Sequence, residues 1–327
     1  MLILSERDIE KNYVMKDAIA DVKRGLISKK DGLILNPHRT VIDIPKYQAS
    51  SLYMPSADLS QEIASVKVVS IFPENPAQGR ATTQGALLLT DAVTGEHICL
   101  MNASYLTRLR TGALSGIGTE KLARENARTL GVIGTGAMAF EQVLGVLEVR
   151  TIETIKLFNR TLEKANRFKE KLIAFGVHQE IIVVPVVDEV VHSSDVICCS
   201  TRSDEPVFNG EILEKGTHIN GVGSYLPHMR EVDLITIQRA SKIVVDDLAG
   251  IKEEAGELIQ ADKESSWKFS DIHAELSSLG DDDHLLRENE EEITFFKSVG
   301  AAYFDLIVAK GIYQKAMALG IGKEIEL

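Results

Sequence analysis

Three basic side chains stand where a soluble fold does not ordinarily place them. Arg110, in "TRLRTGALSGIGTEK", lies four residues after Leu106, three before Ala113 and seven before Ile117, so helical spacing sets its guanidinium on an apolar stripe. Arg108, in the same run, can face solvent. Lys67, in "ASVKVVSIF", shares one face of a strand pattern with Ser65, Val69 and Ile71, opposite Val66 and Val68. Arg39, in "NPHRTV", opens the same β-rich stretch. Burying a cation is costly unless it meets an anion, and no carboxylate adjoins any of the three in sequence. Brought together they would make a pocket for the carboxylate of a small molecule. For each taken singly, snorkelling or an internal ion pair is the alternative.

A second constellation is built of glycine. In "LGVIGTGAMA" an apolar run meets Gly134, Thr135 and Gly136 and then restarts with helix formers, Ala137, Met138 and Ala139. Strand, Gly134-x-Gly136-x-x-Ala139, helix is the context of the dinucleotide fingerprint. The first glycine allows the tight turn, the second lets backbone approach a pyrophosphate, and a small third residue lets helix and strand pack closely. Residues 134–138 are therefore expected around the phosphates. In an NAD-specific site an acid usually stands about 20 residues further on. Here "LFNRT" occupies that place, with Asn159 lying 23 positions after Gly136. No carboxylate would repel a 2′-phosphate, and Arg160 with Thr161 could pair with one. NADP(H) is thus preferred, with NAD(H) also accommodated. The strand ends "DVICCSTRS" and "INGVGS" should bring Cys199, Ser200, Thr201, Val222 and Gly223 toward the nicotinamide half. Cys198 and Cys199, adjacent on a strand, point to opposite faces and fill the interior.

The elements that must position these groups follow from periodicity. "SERDIEKNYVMKDAIADVKRGL" opens with a capping-box variant, Ser5 and Asp8, and spaces Met15, Ile19, Val22 and Leu26 as one helix ending near Asp31-Gly32. From Thr40 to Met101 short β-rich runs predict an antiparallel meander. The helix carrying Arg110 follows, capped by Asn102 or Ser104, its Gly112, Gly116 and Gly118 suited to close packing. Then "TLGVI", "TIKLF", "IIVVPV", "DVICCS", "THINGVG" and "KIVVDD" alternate with amphipathic stretches, the pattern of a parallel sheet covered by helices. Residues 249–292 are acidic and helical in character, with "GDDDH" as a loop. A last helix is expected from about Phe295 to Gly320.

Length and composition set the bounds. At 327 residues, 44% hydrophobic and 26% charged, with a mean hydropathy of zero, the chain is that of a globular protein of two domains. A net charge of −12 disfavours nucleic acid and anionic membrane as partners. "MLILSERDIEK" is too short in apolar residues for a signal-peptide core, and no later run could span a bilayer. Three cysteines make neither a disulfide framework nor a zinc site, and the histidines show no metal-ligand pairing. No metal is expected, and a reducing cytoplasm is the expected compartment.

In order along the chain, "HRTV", "VKVV", "TRLRTGALSG", "GVIGTGAMA", "FNRT", "INGVGSYLPHMREVD" and "FKSVG" resemble the ornithine cyclodeaminase and mu-crystallin family. The resemblance implies an α/β fold in which a Rossmann doubly wound parallel sheet is inserted into a discontinuous α+β domain. It places substrate binding and dimerisation in residues 1–120 plus 296–327, the dinucleotide in residues 121–295, and implies a homodimer. The family's carboxylate-binding positions fall on Arg39, Lys67 and Arg110. Thr82 matches a polar substrate-site position, and Ser298, in "KSVG", a segment that returns to cover the nicotinamide.

Two departures matter. Where cyclodeaminases carry an aspartate after the glycines of the fifth-strand loop, this chain reads Gly223, Ser224, Tyr225. Their glutamate before "MP" also has no counterpart, since "ASSLY" precedes Met54-Pro55. What remains resembles the reductase branch, which reduces imines beside a carboxylate. The expectation is NAD(P)H-dependent reduction of a small cyclic ketimine carboxylate, Δ1-pyrroline-2-carboxylate to L-proline or the piperideine homologue to L-pipecolate. The proton could come from Lys67 or from water. Rivals are an ornithine cyclodeaminase, an alanine-dehydrogenase-like reductive amination, and a non-catalytic ligand binder.

Overall fold

The computed structural model describes residues 1–279 and 286–326. They divide into two units, Met1–Arg110 with Ala301–Leu327, and Thr111–Gly300. The expected boundaries stood at 120 and 296. "GDDDH", expected as a loop, lies outside the described residues.

The first unit opens with β1 (Leu2–Leu4), α1 (Glu6–Asn12) and α2 (Met15–Lys30). A single helix was expected across the last two. The chain breaks at Tyr13 and Val14, which are extended, and it restarts because the Asp17 side chain accepts from Val14 N. The capping box at Ser5 and Asp8 forms as expected. Next come β2 (Ile34–Leu35), β3 (Thr40–Ile44), β4 (Ala49–Asp58), β5 (Ile63–Ile71), β6 (Thr83–Asp91) and β7 (His97–Asn102). The runs β4 to β7 make the antiparallel meander, and β1, too short to register as a strand by its pattern, joins parallel to β7. Lys67 sits on the central strand β5, opposite Met54 of β4 and Leu87 of β6. Helix α3 (Ala103–Leu122) starts where Asn102 Oδ1 accepts from the amides of Ser104 and Tyr105. Its stripe Leu106, Ala113 and Ile117 is buried, and Arg110 is buried with it.

The second unit holds β8 (Thr129–Ile133), α4 (Ala137–Val149), β9 (Thr154–Phe158), α5 (Leu162–Phe175), β10 (Glu180–Val183), α6 (Asp188–Val191), β11 (Val196–Cys199), β12 (His218–Gly221), α7 (Leu234–Arg239), β13 (Ala240–Val245), α8 (Leu248–Glu254), α9 (Gly256–Glu264), β14 (Ala274–Glu275) and β15 (Ile293–Lys297). The sheet runs β10-β9-β8-β11-β12-β15-β13-β14, and every pairing in it is parallel. The order reverses beside β8, at the crevice where such sheets bind ligands. Its two faces bury separate apolar clusters, with Cys198 in one and Cys199 in the other. Small residues permit the helix crossing beneath: a Cβ on Gly145 of α4 would lie 2.0 Å from Gly112 O of α3.

The main departure is β15. Residues 295–297, placed at the start of the last helix by expectation, instead belong to a strand, 293–297, between β12 and β13. "ITFFK" is β-branched and aromatic and buried along its whole length, and a short apolar run of that kind reads equally as buried strand or helix. After it the chain returns to the first unit as α10 (Ala302–Leu319) and β16 (Lys323–Glu324), which pairs with β1. Among the described residues no helix is long and apolar enough to cross a membrane, and no cluster of His, Cys, Asp and Glu could hold a metal ion.

Candidate active site

Begin with α4. Its N-cap is Gly136, which offers no side-chain cap, so the first amides of the helix keep their donors for an anion. A Cβ on Gly136 would meet nothing within 4 Å, which is open room on the side where a phosphate would approach. Gly134 takes φ +88°, a conformation that suits glycine, and a side chain there would press on Thr201 Cγ2 at 2.7 Å. The turn is tied from both sides. Gly134 N donates to Phe158 O (3.0 Å), Ser200 Oγ donates to Gly134 O (3.2 Å), and Asn159 Nδ2 donates to Thr135 Oγ1 (2.7 Å). Asn159 Oδ1 also accepts from Thr161 N at 3.0 Å, so this side chain organises the end of β9. Ala137, Arg160 and Thr161 are exposed and Met138 half-buried. The residues present therefore fit a dinucleotide.

At the ends of β11 and β12, Ser200, Thr201 and Gly223 are half-buried, and Val222 N closes on Cys199 O. Two of the residues expected near the nicotinamide have buried side chains. The Cys199 thiol is fully buried in the apolar core, where burial pushes its pKa well up and leaves it inert. The Ser298 hydroxyl is buried too and donates to Asp246 Oδ2 at 2.6 Å, joined there by Val299 N and Gly300 N. Sequence reading missed Asp246. It also missed the buried acid Glu231, which accepts from Thr201, Gly223 and Ser224.

In the first unit the misplaced cations converge on a partner from the far end of the chain. Lys67 Nζ donates to Asp305 Oδ2 at 2.5 Å and Arg110 Nε to Asp305 Oδ1 at 3.2 Å, all three side chains being buried. Thr107 Oγ1 stands 3.4 Å from Lys67 Nζ. Arg39 is close enough for its charge to act on Lys67. Burial above all brings the Lys67 pKa down to about 8; Asp305 opposes that shift, while Arg110 and Arg39 reinforce it. One carboxylate thus bridges two cations with a third nearby, an arrangement that can take a further anion. It also holds an ammonium able to release its proton near neutral pH. Thr82 is half-buried, and its carbonyl accepts from Phe72 N. Among the described residues no hydrogen bond joins Thr82 to the cluster.

Asp305 left a signal in the sequence. "AYFDLIVA" is an apolar helix interrupted by one acid, the same conflict of charge with pattern that singled out Lys67 and Arg110.

A parallel sheet with an uncapped helix behind a glycine turn is the architecture of a dinucleotide-binding protein, and the same chain buries two cations on one carboxylate. The chain belongs to the ornithine cyclodeaminase/mu-crystallin family, whose model matches residues 1–319. It is 41% identical to a Delta(1)-pyrroline-2-carboxylate reductase of Bacillus cereus over the whole of both chains. The structure of Thermococcus litoralis Delta(1)-pyrroline-2-carboxylate reductase, in complex with NADH and L-proline, superposes with a TM-score of 0.94 at 38% identity, covering 99% of this chain and 100% of that one. An archaeal alanine dehydrogenase dimer with bound NAD gives a TM-score of 0.91 at 31% identity, covering 100% and 99%.

Removing the shared carboxylate should be severe. Asp305→Asn leaves two buried cations uncompensated, at a cost of roughly 3–5 kcal/mol, read as a lower midpoint in urea unfolding. Adding Lys67→Met should return part of that loss. An unchanged midpoint in the single variant would remove Asp305 from the cluster.

Proposed function

We propose that this chain is an NAD(P)H-dependent oxidoreductase that reduces Δ1-pyrroline-2-carboxylate to L-proline. The observation that carries the reading is Lys67, buried, bridged to Arg110 through Asp305 and poised near pH 8. Full-length similarity to reductases of that name supports it. The first unit supplies the substrate and dimerisation functions and the second binds the dinucleotide.

Arg110, Arg39 and Lys67 take the substrate carboxylate by charge-assisted hydrogen bonds. Orientation is the larger gain, since holding the reacting carbon within about 3–3.5 Å of a donor can remove several kcal/mol of barrier. A bound reduced nicotinamide supplies the hydride. Lys67 gives its proton to the imine nitrogen, and Asp305 keeps the ammonium charged beforehand. The lyase alternative needs an acid for a distal amine. In its place Ser224 is buried, donating to Glu257, and Tyr225 accepts from Arg202. The piperideine homologue, one methylene larger, is the second substrate in this reading.

For the cofactor, NADPH is preferred over NADH. Support comes from Asn159, which is engaged with Thr135 and Thr161 and presents no carboxylate, beside the exposed Arg160. The active form is a homodimer joined along β3. This strand and β2 follow one another along the outer edge of β4. Val41 and Ile42, neighbours that point to opposite faces, are 50% and 51% exposed, so both faces of an apolar edge strand are bare. A cytoplasmic location is supported by three free, buried cysteines.

The direct test is nucleotide oxidation followed at 340 nm with pyrroline and piperideine carboxylates, with pyruvate plus ammonia, and with ornithine plus NAD. We expect turnover with the cyclic imines. Ammonia-dependent oxidation, or ammonia release from ornithine, would transfer the chain to a rival. Arg110→Ala should lower kcat/KM about 10- to 100-fold, the worth of a charged hydrogen bond, with NADPH binding unchanged. Because Lys67 acts as an acid, kcat/KM, which reports the free enzyme, should fall about tenfold per pH unit above about pH 8.

Arg160→Ala should raise KM for NADPH about tenfold or more and leave NADH little changed; equal effects on both would end the 2′-phosphate assignment. Light scattering should give about twice 35.9 kDa for the native chain, and Ile42→Glu should yield monomer. A monomeric native protein would refute the interface.

A further inference from the structure

Glu231 lies between β12 and α7, is fully buried, and takes no part in the chemistry described above. Its Oε1 accepts from Thr201 N (2.5 Å) and Thr201 Oγ1 (2.9 Å), and its Oε2 from Gly223 N (2.7 Å) and Ser224 N (3.3 Å). One oxygen thus holds the loop after β11 and the other the loop after β12. The two loops touch at this point: a Cβ on Gly223 would fall 2.1 Å from Thr201 O and 2.6 Å from Glu231 Oε1. Beneath them Lys297 Nζ, at the end of β15, donates to Ser224 O and Ser224 Oγ at 2.6 Å each and pairs with Glu257 Oε1 at 2.9 Å. Lys297 also lends positive charge that counters the desolvation of Glu231.

We propose that Glu231 is a positioning residue, a clasp that holds the loops after β11 and β12 in the one arrangement that receives the nicotinamide half of the dinucleotide. This rests on the reading that the second unit binds a dinucleotide. The phosphate cradle has ties of its own through Phe158 O and the Asn159–Thr135 bond, and its bond to the loop after β11 runs through Ser200, one residue before the clasp, whereas the two loops meet at Glu231. All four partners are donors, so the clasp requires a carboxylate. Glutamine has the same shape but must turn an NH2 group toward one pair of donors, and that side opens. Glu231 is therefore a case in which the isosteric change is not conservative.

The test is calorimetric titration of the full-length wild type and Glu231→Gln with NADH and with ADP-ribose, which lacks the nicotinamide. We expect ADP-ribose to bind both proteins alike and NADH to bind the variant about tenfold or more weakly, losing what the nicotinamide adds. Equal weakening of both probes, the mark of a merely structural residue, overturns the proposal, and so does unchanged NADH binding. If Glu231→Gln does not fold, Thr201→Val, which deletes only the hydroxyl bond to the clasp, should show the same selectivity to a smaller degree. A wild type that binds neither probe overturns the dinucleotide reading itself, and is told apart because failure of the clasp leaves the wild type binding both.

Discussion

The buried carboxylate of Asp305 is the constraint around which the first unit is built. Lys67 and Arg110 sit on a central strand and on a helix stripe that face an apolar interior, and neither position is tenable for a lone cation. Their common anion comes from 238 residues further along the chain than Lys67. The polypeptide must therefore complete the whole parallel sheet of the second unit and return before the cations are balanced. Discontinuity of the first unit follows from electrostatics as much as from packing. The return is close as well as charged: a Cβ on Gly25 of α2 would lie 2.0 Å from Ile307 Cδ1, two residues beyond Asp305, so α10 is seated by sterics where its acid is needed.

Much of this was legible from residue types and spacing. The parallel strands from β8 to β13, the meander, the capping box at Ser5 and the turn at Gly134 each have a local cause that the chain writes in a few adjacent residues. Lys67 and Arg110 were legible because charge conflicted with periodicity. What escaped reading lacks a local cause. The strand β15 is five buried residues whose pattern fits either regular structure, and only its neighbours β12 and β13 decide. Asp305, Glu231 and Asp246 have meaning through partners far away in sequence, and the pairing of a given acid with a given cation is not a local property. Cys198 and Cys199 were legible as interior filling for a local reason, since neighbours on a strand face opposite sides and each enters a different core cluster.

A common device recurs at the carboxyl ends of the second unit's strands. Backbone amides there leave the ladder and need acceptors, and buried acids meet them. Asp246 gathers Ser298 Oγ, Val299 N and Gly300 N, while Glu231 gathers amides from two loops. Burial raises both carboxyls, and the donors offset only part of that rise. Each acid takes the place of the water that would otherwise solvate these amides, so the strand ends carry hydrogen-bonded dipoles held by the chain itself.

The proposed reaction sets Lys67 two requirements, and the cluster reconciles them. To anchor an acid it must be charged, and to act as a proton donor it must give that charge up. Burial alone would favour the neutral amine, and Asp305 restores the ammonium. Arg110 and Arg39 then push the other way, to about 8. In the proposed reaction the substrate carboxylate enters among these same cations as a second anion and shifts the balance toward the charged lysine. The proton is thereby held until the imine nitrogen accepts it. In that reaction the groups that recognise the acid also set the acidity of the donor, so recognition and proton delivery would change together.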